Sequence, residues 1–145
     1  MLIWFKITVK ISAKSEYACL AMLALARLGP DEPPIRIREI SEGYAIPERY
    51  LVQILLQLKG AGLVLSTRGA SGGYRLARPA VKISLGEVLT AIDGPDAPPR
   101  PGQQCPAARA LAAVWEHVRA AERSVLDTTS IAQLAEVIAP HEWVI

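Results

Sequence analysis

Residues 14–28 are apolar on nearly every side, with Tyr17, Leu20, Met22, Leu23, Leu25 and Leu28 set among alanines and Cys19. A helix of this composition is buried rather than amphipathic. Gly29-Pro30 is expected to end it, glycine through a left-handed turn and proline by forbidding continuation. Asp31-Glu32-Pro33-Pro34 reads as a rigid, exposed connector. Cys19 reads as a small buried hydrophobe. A short helix is expected over about 37–43, with Ile37, Ile40 and Ser41 facing inward. After a turn through Tyr44-Ala45-Ile46, Pro47 marks the first turn of another helix, where its missing N–H costs nothing. That helix runs to about Gly60, with Gly62 as the terminator. Leu51, Ile54, Leu55 and Leu58 recur at helical spacing and belong to the core. Arg49, Tyr50, Gln53 and Gln57 are assigned to the other side.

Two helices joined by a tight turn form a helix-turn-helix. Arginine and glutamine on its outer face are side chains that pair bidentately with guanine and adenine edges. Taken alone, the same face reads better as an ordinary solvated surface. The following segment changes the picture. Leu63 to Thr67 has strand composition, and Tyr74 to Ala77 alternates as a second strand. Between them Arg68-Gly69-Ala70-Ser71-Gly72-Gly73 holds three glycines, which let the backbone turn and approach another surface closely. Helix-turn-helix followed by a short hairpin with a basic tip is a winged helix, and such a wing is thin enough for a minor groove. A phosphate-binding loop is discounted, because no Gly-Lys-Ser/Thr ending and no helix start follow.

Beyond Arg78-Pro79 a small helix is expected over about 85–92. The proline-rich stretch 94–102 excludes helix and central strand. Pro106 to Leu126 reads as one long helix in which Leu111, Val114, Val118, Ala121 and Val125 recur at three- and four-residue steps, a seam for another helix. Arg109, Glu116, Arg119 and Arg123 keep off that seam. A second copy of the chain is the simplest partner for it, and packing against the first helix is the alternative. A terminal helix is expected near 130–138, with Ile131, Leu134, Val137 and Ile138 on one side.

Composition and charge narrow the class. The chain has 145 residues, 51% hydrophobic and 21% charged, enough for a buried core. Its longest apolar run, Ala18 to Ala26, is nine residues, far below the roughly 20 of a spanning helix, so no membrane partner is expected. The first five residues are too few for a signal-peptide core, and a cytoplasmic location is expected. The net charge of +2 conceals a segregation: residues 33–82 carry +5 and residues 83–145 carry −4. A basic middle beside an acidic tail suits a nucleic-acid-binding module joined to a non-binding one. Arg36, Arg38, Lys59 and Arg75 are the phosphate contacts that charge alone suggests. No nucleophile–base pair and no framed carboxylate pair is visible, so an enzyme is rejected.

Glu39-Ile40-Ser41, the run Ile46 to Leu55, the run Leu58 to Ser66, and Arg68 to Arg78 together resemble the Rrf-two family of dimeric winged-helix transcription regulators. The similarity covers about residues 9–138. It implies a mainly α fold with a small β wing: a winged helix-turn-helix over 9–80, then 81–145 with a linker loop, a long dimerisation helix and a terminal helix. It implies a homodimeric regulator, a repressor on a pseudo-palindromic operator in double-stranded DNA. By position, the resemblance puts Arg49, Tyr50 and Gln53 at the major groove, and Arg68 with the tip Ser71-Gly72-Gly73 at the minor groove. Val52 stands where some cluster-binding members have an acidic residue that tunes site choice. Val9-Lys10-Ile11-Ser12 is similar to the usual family start, so residues 1–8 are expected to be a dispensable, non-native extension.

Cluster-binding members of that family place three closely spaced cysteines before the dimerisation helix, and only Cys105 matches them. No cofactor is therefore expected, and an iron–sulfur cluster would need a non-standard ligand set. Cys105 should lie at the head of the long helix, whose partial positive charge favours a thiolate. It reads either as a thiol redox sensor or as a relic of a cluster site, with an unnamed small-molecule or protein effector as a third source of control. The rival to DNA binding is a winged-helix module that regulates an enzyme or complex through protein contacts.

Overall fold

A computed structural model describes residues 11–95 and 105–138; the stretch 1–8 expected to be dispensable and most of the proline-rich loop lie outside them. Helix α1, Ala13–Ala26, starts at Ser12, whose hydroxyl accepts the Ser15 N–H at 3.1 Å. It buries Ala18, Ala21, Met22 and Leu25 at the centre of the core. Its end differs from expectation. Arg27 caps it in a right-handed conformation, and the chain leaves without a left-handed glycine. Gly29 serves the next turn, its N–H donating to Glu32 Oε1 at 3.0 Å. The connector also does more than bridge: Ile35 exchanges backbone hydrogen bonds with Tyr74 at 2.7 and 2.9 Å.

Helix α2, Ile37–Tyr44, ends on Ala45 at φ 54°, the one non-glycine left-handed residue among those described. That turn drives Ile46 into the core and lets the Ser41 hydroxyl donate to the Ile46 carbonyl at 2.6 Å. Helix α3, Glu48–Gly60, follows, with Pro47 one position earlier than expected, as its cap. Leu51, Ile54, Leu55 and Leu58 are fully buried, as their spacing requires. Gly62 at φ 77° closes α3: its N–H reaches Lys59 O at 3.0 Å and Leu63 N–H reaches Leu58 O at 2.9 Å. This pair of bonds satisfies carbonyls that the helix end leaves open and turns Leu63 back onto Leu58.

Strands β1, Val64–Thr67, and β2, Gly73–Leu76, pair antiparallel with Val64 opposite Leu76 and Thr67 opposite Gly73. A single 3-10 turn, Ala80–Lys82, then leads to α4, Leu85–Asp93. The long helix α5, Pro106–Thr128, and the short α6, Ile131–Val137, complete the described chain. Ser84 with Glu87 and Ser130 with Gln133 form reciprocal capping boxes at the starts of α4 and α6. Leu85 N–H to Thr129 O at 2.9 Å and Ile131 N–H to Ile83 O at 2.8 Å stitch these two starts together. Ile83, Val88, Ile92 and Ile131 consequently join the same buried cluster as α1 and α3. Helix α5 differs from all the others in having no buried residue.

Candidate nucleic-acid interface

The core side of α3 determines what its other side presents. With Leu51, Ile54, Leu55 and Leu58 inward, helix geometry turns Arg49, Val52, Gln53, Leu56 and Lys59 toward solvent. Arg49 and Tyr50 are both exposed and support each other. The guanidinium lies 4.8 Å from the centre of the Tyr50 ring and donates to its hydroxyl at 3.1 Å. Gln57 departs from its expected place on this face. It is half-buried against α4, its amide donating to the Ile92 carbonyl at 3.3 Å, because its angular position flanks the core.

The start of α2 and the wing enclose an open groove lined by Arg36, Arg38, Thr67, Arg68 and Tyr74. Three of the arginines singled out from sequence therefore share one surface. Arg36 is committed within it, donating to the carbonyl of Ala70 at the wing tip. Arg38 pairs with Glu42 at 2.9 Å, and that hydrogen bond, with the Glu42 and Glu48 charges, favours its charged form further. Arg75 turns the other way and donates to the Glu32 carbonyl at 2.6 Å, tying the wing to the connector. Arg68 and Lys59 are exposed, and neither forms an ion pair with a described residue.

At the wing tip, Ser71 is exposed while Gly72 is buried, its N–H donating to Gly69 O at 3.0 Å. A side chain on Gly72 would meet Thr67 O at 2.2 Å, and one on Gly73 would meet Ile35 O at 2.5 Å. The two glycines are thus demanded by the tightness of the tip and by the connector beneath it. What the tip holds outward is Arg68, Gly69, Ala70 and Ser71.

Cys105 is exposed and caps α5, its sulfur accepting the Ala108 N–H at 3.3 Å, with Pro106 at the first helical position. Cys19 is half-buried in α1, and burial, with the Glu16 charge, pushes its thiol up to about 11. On α5, Leu111 is 53%, Val114 52% and Val125 63% exposed, with Ala121 also exposed and Val118 half-buried. Trp115, also exposed, extends this apolar strip, which its period alone did not include. Among the described residues no helix is long and apolar enough to cross a membrane.

A helix-turn-helix whose second helix, α3, packs on α1 and α2, with a basic hairpin beside it, defines a winged-helix DNA-binding protein. The chain belongs to the Rrf2 family, whose model, described as an iron-dependent transcriptional regulator, matches residues 11–137. It is a transcriptional regulator and not an enzyme. It is 36% identical over 128 residues to the HTH-type transcriptional regulator CymR of Bacillus subtilis, covering 88% of this chain and 90% of that one. A solved structure of CymR, the global cysteine regulator of B. subtilis, superposes with a TM-score of 0.80 at 34% identity, covering 91% of this chain and all of that one. IscR of T. potens superposes with a TM-score of 0.76 at 30% identity, covering 94% and 93%.

The iron in the family description can be tested against the donors present. The chain's two cysteines are the half-buried Cys19 in α1 and the exposed Cys105 at the head of α5. That set does not fit the four-thiolate ligation of a common iron–sulfur cluster. Among the described residues, no three His, Cys, Asp or Glu side chains gather as a metal site.

Proposed function

We propose that this regulator works as a homodimer, in the cytoplasm and without a bound cofactor, and represses by occupying a pseudo-palindromic operator. The observation that carries the dimer is the exposed apolar strip of α5: Leu111, Val114 and Val125 stand in water on a helix with no fully buried residue. A second copy packed along Leu111, Val114, Val118, Ala121 and Val125 removes that surface from water. It also sets two recognition helices on successive turns of a duplex, about 34 Å apart. In this reading Arg49, Tyr50 and Gln53 contact base edges, and Arg68 with Ser71 at the outward tip enters the minor groove, Gly72 and Gly73 shaping the tip from within. Arg36, Arg38 and Lys59 add charge along the phosphates, with Arg36 also bracing the wing tip, while Arg75 braces the wing from the connector side and is not a phosphate contact in this reading.

Cys105 supplies the switch. Peroxide transfers one oxygen to the exposed sulfur, leaving a sulfenic acid and water, and the thiol that caps α5 becomes a larger, more polar group. A CymR of Staphylococcus aureus has been solved in an oxidized form, at 36% identity and a TM-score of 0.73, which supports a redox reading for this relative. The test is fluorescence anisotropy on duplex DNA from the region upstream of its own gene, with reduced and peroxide-treated protein, Cys105→Ser and a scrambled duplex. Specific binding that falls on oxidation, and does not fall in Cys105→Ser, is the expected result. Equal binding in both redox states removes the switch, and equal weak binding to both duplexes removes the operator.

A further inference from the structure

Two side chains on the outward face of α3 are explained neither by packing nor by polar base reading. Val52 is 43% exposed and Leu56 59%, whereas Leu51, Ile54, Leu55 and Leu58 of the same helix are fully buried. Four residues apart, Val52 and Leu56 are neighbours on the helix surface. They are interleaved with Arg49 and Gln53 in the strip opposite the core. An aliphatic pair in the middle of a charged and amide-bearing face forgoes hydrophobic stabilisation in the free protein, which points to an apolar surface that it meets in the bound one.

Among the groups that base pairs display in the major groove, one is apolar: the C5-methyl of thymine. Residues in the first half of a recognition helix reach those edges, and Val52 is the fifth residue of α3 while Leu56 lies a turn further on. We propose that Val52 is a specificity-determining residue that seats a thymine 5-methyl group next to the base contacted by Gln53, with Leu56 closing the far side of that contact against water. This rests on the reading that α3 lies in the major groove. Its occupant is the duplex itself, because the strip is continuous with Arg49 and Gln53.

The experiment uses the full chain and duplexes selected by it from a random-sequence library. Each thymine in a selected half-site is then replaced singly by deoxyuridine, which deletes only the methyl and leaves pairing and the O4 acceptor intact. At one thymine per half-site the wild-type chain is expected to lose about three- to fivefold in affinity, the value of one buried methyl. Val52→Ala should bind the thymine and uracil duplexes alike at that position while keeping its response at every other. Its helical content and salt dependence should match the wild type, because Val52 supports no core contact. A wild-type chain indifferent to every uracil overturns the assignment, as does a methyl effect that persists in Val52→Ala. If Val52→Ala instead weakens self-association, measured by sedimentation, and leaves the uracil response intact, the strip belongs to a second copy and the assignment fails. Enrichment of no duplex removes the groove reading itself, an outcome distinct from a selected duplex that ignores its methyls.

Discussion

Cys19 and Cys105 show how placement separates two chemically identical residues. Cys105 is exposed at a helix start, while burial in α1 raises the Cys19 thiol to about 11 from its ordinary 9. A raised thiol pKa means that folding gains from the neutral form: the contribution is complete below pH 9 and is lost as pH rises through 11. Stability of the wild type is therefore expected to fall across pH 9–11 by about 1–2 kcal/mol more than that of Cys19→Ala, a partial value because the thiol is only half-buried. Urea titrations at several pH values measure it. At pH 8, iodoacetamide should modify Cys105 alone in the folded chain, as peptide mass mapping would show. Gly73 makes a second residue-scale case. A Cβ there would stand 2.5 Å from Ile35 O and 2.7 Å from Ile35 C, both backbone atoms that cannot swing aside. Gly73→Ala should cost about 2–3 kcal/mol and loosen the wing, seen as earlier proteolysis at 68–73. The glycines were legible in the sequence as a turn. That the connector, 38 residues earlier, crowds Gly73 was not, because Ile35 carries no mark of its bridge to Tyr74.

The elements followed their local signals wherever apolar periodicity and end chemistry agreed. In α3 four buried leucines and isoleucines, Pro47 ahead and Gly62 behind all act on the same 13 residues. The end of α1 departs from its local signal: Gly29-Pro30 is a strong stop, yet backbone bonds from Arg27 and Leu28 close the helix before it. Gln57 departs from its expected face for a different reason: a residue at the flank of a helix faces solvent or a neighbour according to where α4 lies. The Ser84–Glu87 capping box satisfies two open N–H groups at the start of α4. Ser84→Ala is expected to lower stability by about 1 kcal/mol with DNA affinity unchanged once folded, read by thermal melts and anisotropy on the same preparations. Helix α5 carries the exposed apolar strip on which the proposed dimer rests. Val114→Asp at its exposed apolar strip should shift the chain toward monomer in sedimentation equilibrium, leaving its helical content in place, because no core contact is broken.

For the whole molecule, charge and shape act together. The +5 of residues 33–82 becomes a surface only through folding, which brings Arg36, Arg38 and Arg68 to one groove and turns Arg75 away to the connector. Lys59→Ala should weaken binding to specific and scrambled duplexes alike and reduce the salt slope by about 1, whereas Gln53→Ala should cost about 1–3 kcal/mol at one base pair only. Salt-titrated anisotropy on both duplexes separates the two behaviours. The sequence by itself determined the helix-turn-helix, the hairpin and the long helix, because each is written in contacts within a few residues: apolar period, caps, turn glycines. It also determined that the chain has too few thiols for a common iron–sulfur cluster. Tertiary structure alone decided which cations stay available and that Gln57 turns inward. It also decided that Ile131 closes the core begun by α1. These outcomes turn on which elements meet across long stretches of chain, and packing selects those meetings from the whole apolar surface at once, a quantity no local window of residues contains.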